Sequence, residues 1–149
     1  MYLKTEELEK QIKNNLLILN NYAGEEYAVD FPKIIFFEKA YDNSIPGSYI
    51  YSNSTGYHID GVGDRGGIVS RFATENLEEL YSKVFINAAI WISVNYAAGN
   101  KIKGKDWRRV MFKYRLELLS LLGEEYYKKG KKEIDKTLEN APYDDSLFC

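Results

Sequence analysis

Gly61, Gly63 and Gly66 stand in the spacing G-x-G-x-x-G. In a dinucleotide-binding fold that spacing lets backbone amides approach a pyrophosphate, provided the loop joins a strand to the N-terminus of a helix. Here the loop lies between two strand-like stretches, Tyr57-His58-Ile59-Asp60 and Ile68-Val69-Ser70-Arg71-Phe72. The sequence therefore predicts a β-hairpin connection over Gly61–Gly67 and not a phosphate cradle. His58 is the sole imidazole. As a general base it would need a nucleophile and an orienting partner, and no G-x-S-x-G elbow or nearby cysteine accompanies it. It reads as a hydrogen-bonded structural residue, and an enzyme alternative would have to use His58 with Asp60. Cys149 is the only cysteine, so neither a disulfide within the chain nor a Cys/His zinc site is expected. The adjacent pairs Glu78-Glu79, Glu124-Glu125 and Asp144-Asp145 point apart on a helix and imply neither an acid/base pair nor a metal site. No catalytic residue, metal or cofactor is expected.

Positive charge is concentrated between Lys101 and Lys132, with 11 basic against 4 acidic residues. Tyr126 and Tyr127 could stack on bases there, yet the sequence pI near 5.5 and net charge of −2 are unlike a domain that tracks a phosphate backbone. Solvated helix faces account for most of these lysines. Within the segment, Asp106-Trp107-Arg108-Arg109 stands out. Asp106 can cap a helix and Trp107 can enter the core. The two arginines diverge by about 100°, so at least one lies near buried surface and needs a carboxylate such as Asp60 or Asp64. A structural ion pair and an anchor for a bound partner are both open readings. A small-molecule or nucleic-acid binding module would use the Gly61–Gly67 loop with Arg108 and Arg109.

The elements that would position these residues follow from apolar periodicity. Leu8, Ile12, Leu16, Leu19 and Tyr22 recur at helical spacing, predicting a helix over about 5–22 that ends near Gly24. Lys33 to Glu38 is β-branched and aromatic and reads as a strand, and Tyr49-Ile50-Tyr51 as a second short one. Thr74 is the expected N-cap of a long helix through Ala98 that is apolar nearly all round. Such a helix should be central, with Trp91 in the core. A third helix follows Asp106 and ends near Gly123, and a fourth runs from about Glu124 to Asn140 before Pro142.

These elements predict an α+β fold, a small antiparallel sheet of three to five strands packed against about four helices, in a single domain over residues 1–149. Apolar residues at 45% and charged residues at 28% fit an ordinary globular chain, which at this length buries roughly two-thirds of its unfolded surface. The charged start, Met1 to Glu7, has no apolar signal core. The longest uncharged run, Val84 to Asn100, is too short and too polar to span a membrane. The expectation is a soluble cytoplasmic protein, with its oligomeric state left open.

The order of several short motifs resembles the immunity protein 63 family of bacterial polymorphic toxin systems. Tyr57-His58 lies on a strand, followed by Asp64-Arg65-Gly66, then Asn76-Leu77-Glu78-Glu79-Leu80-Tyr81 with Val84-Phe85. Asp106-Trp107-Arg108-Arg109 with Met111-Phe112 comes next, then Leu116-Glu117-Leu118-Leu119, Glu133-Ile134 and Leu138, and finally Pro142-Tyr143. The family's usual Glu-Arg-Gly is Asp-Arg-Gly here, and an aromatic other than tryptophan is common where Trp107 stands. The resemblance spans about Tyr57 to Tyr143 and leaves residues 1–56 unmatched. It implies an immunity protein, not an enzyme, that binds a cognate toxin domain in the cytoplasm and neutralises it by stoichiometric occlusion. Tyr57, His58, Asp64, Arg65, Gly66, Asp106, Trp107, Arg108 and Arg109 carry over only as motif positions, structural or binding. Exposed tyrosines flanked by acids are the expected toxin contacts, either Tyr22, Glu25, Glu26 and Tyr27 or Glu124, Glu125, Tyr126 and Tyr127.

Overall fold

The computed structural model describes residues 1–148, so the lone thiol of Cys149 lies outside the described residues. The order of elements is helix α1 (Thr5–Ala23), a 3₁₀ turn (Phe31–Lys33), strands β1 (Ile35–Phe36), β2 (Gly47–Asn53), β3 (Gly56–Val62) and β4 (Ile68–Thr74), then helices α2 (Leu77–Gly99), α3 (Arg108–Leu122) and α4 (Glu124–Asn140), and a final 3₁₀ turn (Asp145–Phe148). The four strands lie in the order β1-β2-β3-β4. β2, β3 and β4 form the expected antiparallel meander, whereas β1 joins β2 in parallel and makes the sheet mixed.

The strand expected over 33–38 shrinks to two residues for a local reason. Pro32 sits in the first turn of the 3₁₀ segment, where its missing N–H costs nothing, and the Ile34 amide closes that turn onto the Phe31 carbonyl at 3.0 Å. Only Ile35 and Phe36 remain free to pair, with Ser48 and Tyr49. The expected N-cap also moves. Thr74 is still held in the sheet opposite Tyr57, so capping passes to Asn76, whose Oδ1 accepts the Glu79 amide at 3.1 Å. Thr74 supports the cap, its hydroxyl accepting from the Asn76 amide at 3.0 Å and donating to Glu79 at 2.9 Å.

Two compact units divide the described chain, residues 1–14 with 30–83 and residues 15–29 with 84 onward, and α1 and α2 contribute residues to both. The first unit holds the sheet. Ala40, Tyr49 and Val62 are buried together there, with Phe36 and Ile68 packed against them. The chain ahead of α1 is tied to the β2–β3 hairpin. The Leu3 amide donates to the Tyr57 hydroxyl at 2.9 Å, the Ser52 hydroxyl donates to the Leu3 carbonyl at 2.6 Å, and the Ser52 amide donates to Thr5 Oγ1 at 3.1 Å.

The second unit holds α3, α4 and most of α2. Ala97, Met111, Phe112 and Ile134 form a buried cluster, with Trp107, Val110, Leu116, Leu138 and Tyr143 against it. Gly130 explains itself here: a Cβ at that position would collide with the Leu119 side chain, so the glycine lets α4 approach α3 closely. The expected place of Trp91 in the core is corrected. Phe85, Ala89, Ile92 and Ala97 are fully buried, but Asn87, Trp91, Val94, Asn95 and Ala98 form an exposed stripe at helical spacing, with Trp91 56% exposed. Apolar composition on all sides does not oblige the fold to cover all sides. Phe85→Ala should therefore cost about 3–5 kcal/mol in chemical denaturation, whereas Trp91→Ala should stay within ~0.5 kcal/mol of the parent.

Candidate functional site

A dense polar constellation gathers at the start of α3. Trp107 already has helical dihedrals (φ −60°, ψ −22°), so the capping side chain belongs to Asp106. Its Oδ1 accepts the Arg108 amide at 3.0 Å, its Oδ2 accepts the Asp144 amide at 3.1 Å, and the Arg108 guanidinium donates to both oxygens, closest at 2.8 Å. The carboxylate is buried, with 1% of its side chain exposed. Arg108 also donates to the carbonyls of Ala141 (2.8 Å) and Pro142 (2.9 Å). Arg109 makes a two-point contact with Asp145 at 3.0 and 3.2 Å and lies 4.3 Å from the centre of the Tyr143 ring. Asp145 in turn accepts the Asp106 amide at 2.7 Å.

The arginines' partners are thus Asp106 and Asp145, not the expected Asp60 or Asp64. The reason is chain geometry: the cap places its own carboxylate beside Arg108, and the turn after Pro142 returns Asp145 to Arg109. Hydrogen bonds from the Arg108 guanidinium hold the Asp106 carboxyl far below the ordinary carboxylate range, against the opposing effect of burial, with the Arg108 and Asp144 amides adding to the depression. Arg109, followed by the Asp106 amide, lowers Asp145 in the same direction.

The motif positions of the hairpins belong to the other unit. Tyr57 is buried, accepts the Leu3 amide, and meets Tyr2 edge-on at 5.4 Å. His58 stacks on Tyr51 with ring centres 4.9 Å apart, and its Nε2 lies 3.0 Å from both Asn53 Oδ1 and Thr55 Oγ1. Tyr51 donates to buried Asp60 at 3.1 Å. Burial, then the Asp60 charge, pushes the Tyr51 hydroxyl above its usual value. His58, Tyr51 and Asp60 therefore share one face of the sheet, with the imidazole nitrogen turned to the β2–β3 turn, where the Thr55 hydroxyl it meets also donates to Asn53 Oδ1 at 2.6 Å.

Gly61–Gly67 joins strand to strand, as expected. Gly66 and Gly67 turn the chain with φ of +76° and +78°. The Gly63, Gly66 and Gly67 amides are spent on the carbonyls of Gly67, Gly63 and Asp42. Asp64 and Arg65 are exposed at the tip. A ligand module would thus have neither those amides nor an unpaired Arg108 or Arg109 to draw on. Among the described residues no group of three or more His, Cys, Asp or Glu side chains could hold a metal ion, and no helix is long and apolar enough to cross a membrane.

The tyrosines singled out in the sequence have defined places. Tyr22, Tyr114, Tyr96 and Tyr27 form a run of ring contacts: Tyr22 to Tyr114 at 5.7 Å, Tyr114 stacked on Tyr96 at 3.8 Å, and Tyr96 edge-on to Tyr27 at 5.1 Å. Tyr22 donates to Glu117 at 3.1 Å, and Tyr27 accepts from Asn100 at 2.9 Å. Burial, then the neighbouring Tyr22 and Tyr96, pushes the Tyr114 hydroxyl up to about 12. Glu25 and Glu26 are exposed in the turn after α1. In the second patch, Glu124, Glu125 and Tyr127 are exposed at the start of α4, while Tyr126 is half-buried and meets Phe85 edge-on at 5.6 Å. Of the nearby lysines, Lys128 pairs with Glu124 and Lys131 with Asp135, one helical turn away. The sequence reading missed Asp145 and Tyr143 as partners of Arg109, although Pro142 signalled the turn that brings them back.

The Immunity protein 63 family matches residues 53–136, more than half of the chain, and the protein belongs to that family. The match takes in the β3–β4 hairpin, α2, α3 and most of α4, and stops before Tyr143 and Asp145. Comparison with curated proteins and comparison with solved structures each return no match.

Asp106→Asn should leave Arg108 without its charge partner in a buried site and cost about 3 kcal/mol in urea denaturation. A depressed carboxyl contributes stability that is complete above its unfolded value, near pH 4, and lost as pH falls toward its folded one. The parent protein should accordingly lose stability more steeply below about pH 4 than Asp106→Asn does, as read from melting temperatures across pH 2–6.

Proposed function

We propose that this protein is a cytoplasmic immunity protein that binds a cognate toxin domain of a polymorphic toxin system and neutralises it by one-to-one occlusion. Membership of the Immunity protein 63 family carries this reading. Immunity proteins act on a protein toxin, and that role needs a surface and not a reaction centre. The groups with most chemical potential are already engaged inside the fold. His58 Nε2 faces Asn53 and Thr55, the glycine loop spends three amides on its own carbonyls and that of Asp42, and Arg108 and Arg109 are matched by Asp106 and Asp145. In this reading the motif residues serve the scaffold. Tyr57 and Asp106 pin chain segments, while exposed aromatic and acidic side chains meet the toxin.

The test is a binding titration against the toxin domain encoded by the adjacent upstream gene, purified with its active site disabled. The expected result is a one-to-one complex with Kd at or below about 10 nM, and growth rescued when this protein is co-expressed with the active toxin. Absence of both binding and rescue would overturn the reading.

A further inference from the structure

We propose that the toxin docks on the exposed stripe of α2 centred on Trp91, together with the turn carrying Glu25 and Glu26, and that the docking surface of the toxin is an apolar pocket rimmed by basic side chains. This rests on the neutralisation reading above and specifies its interface.

Trp91 is 56% exposed and Val94 42%, in a helix with no charged residue from Val84 to Asn100. An exposed tryptophan on an uncharged stripe is the kind of side chain that dominates binding energy when a partner desolvates it. The neighbouring surface is defined by contacts. Asn95, one turn after Trp91, donates to the Tyr27 carbonyl at 3.2 Å, which sets the Glu25–Tyr27 turn beside the end of the stripe. From Tyr27 the ring contacts lead through Tyr96 and Tyr114 to Tyr22, itself 48% exposed. These rings hold one another in place, so little side-chain freedom is left to lose on binding.

Charge decides what fits. Glu25 and Glu26 are exposed and pair with no cation among the described residues, and Glu117 beside Tyr22 is matched by a hydroxyl, not a cation. Carboxylates beside an apolar stripe disfavour nucleic acid and anionic lipid, and they favour a surface bearing lysine or arginine. A second copy of this chain would bring the same carboxylates face to face across a two-fold axis. The patch at the start of α4 differs, because Glu124 already has Lys128 and further lysines line the groove behind it.

The experiment compares the protein with Trp91→Ala and with the double variant Glu25→Lys/Glu26→Lys, each titrated against the disabled toxin domain. All three changes fall on exposed residues, so melting temperatures should be nearly unchanged. Trp91→Ala should raise Kd roughly 30-fold or more, the scale of a hot-spot truncation. The charge reversal should raise Kd mainly by slowing association, with the difference shrinking as salt is added. Toxin bound by either variant as tightly as by the parent would overturn the assignment of this surface while leaving neutralisation intact. Failure of the parent itself to bind would overturn both. Sedimentation of the parent as a dimer that Trp91→Ala dissociates would assign the stripe to self-association and overturn the proposal.

Discussion

The buried carboxylate of Asp106 is the constraint on which the second unit depends. A single side chain caps α3, neutralises Arg108 and accepts the Asp144 amide, so the start of one helix and the turn beyond another are held by one group. Such an arrangement is favourable only when complete. Removing water from a carboxylate and a guanidinium costs several kcal/mol each, recovered here by direct hydrogen bonds and by the carbonyls of Ala141 and Pro142. The cluster fixes where residues 141–145 lie and brings Tyr143 onto the core of Ala97, Met111, Phe112 and Ile134. In the first unit Tyr57 has the corresponding role on a smaller scale, holding the segment before α1 against the hairpin with one hydroxyl and one ring face.

Much of this was legible in the sequence wherever local physics decides. The period of Leu8, Ile12, Leu16 and Leu19 gave α1 to within a residue, and the glycine run between two alternating stretches gave the β3–β4 hairpin. The order of short motifs from Tyr57 to Tyr143 also carries the family resemblance without any geometry. What could not be read was set by contacts distant in sequence. Nothing near Arg109 announces Asp145, 36 residues on. Thr74 is a good cap by type, but pairing with Tyr57 keeps it in the sheet. Pro32 reads as the residue ahead of a strand, yet its fixed φ suits a 3₁₀ turn equally well.

Trp91 is the most instructive misreading. Hydrophobicity around a helix says how much surface could be buried, not how much the fold itself buries, and the difference is a surface left for something else. A protein that works by occlusion must keep such a surface apolar enough to bind and soluble enough to survive unbound. Asn87 and Asn95 on the stripe, with Glu25 and Glu26 beside it, meet that requirement without placing a charge at its centre. His58, Arg108 and Arg109 are instead engaged with Asn53, Thr55, Asp106 and Asp145 inside the fold.

The most direct test of occlusion without turnover is the activity of a fixed amount of toxin domain, measured against increasing amounts of this protein. Tight occlusion predicts a linear fall that reaches zero at one equivalent and goes no lower in protein than that. Complete loss of toxin activity at a small fraction of an equivalent would mean that each molecule acts repeatedly, and would contradict the account.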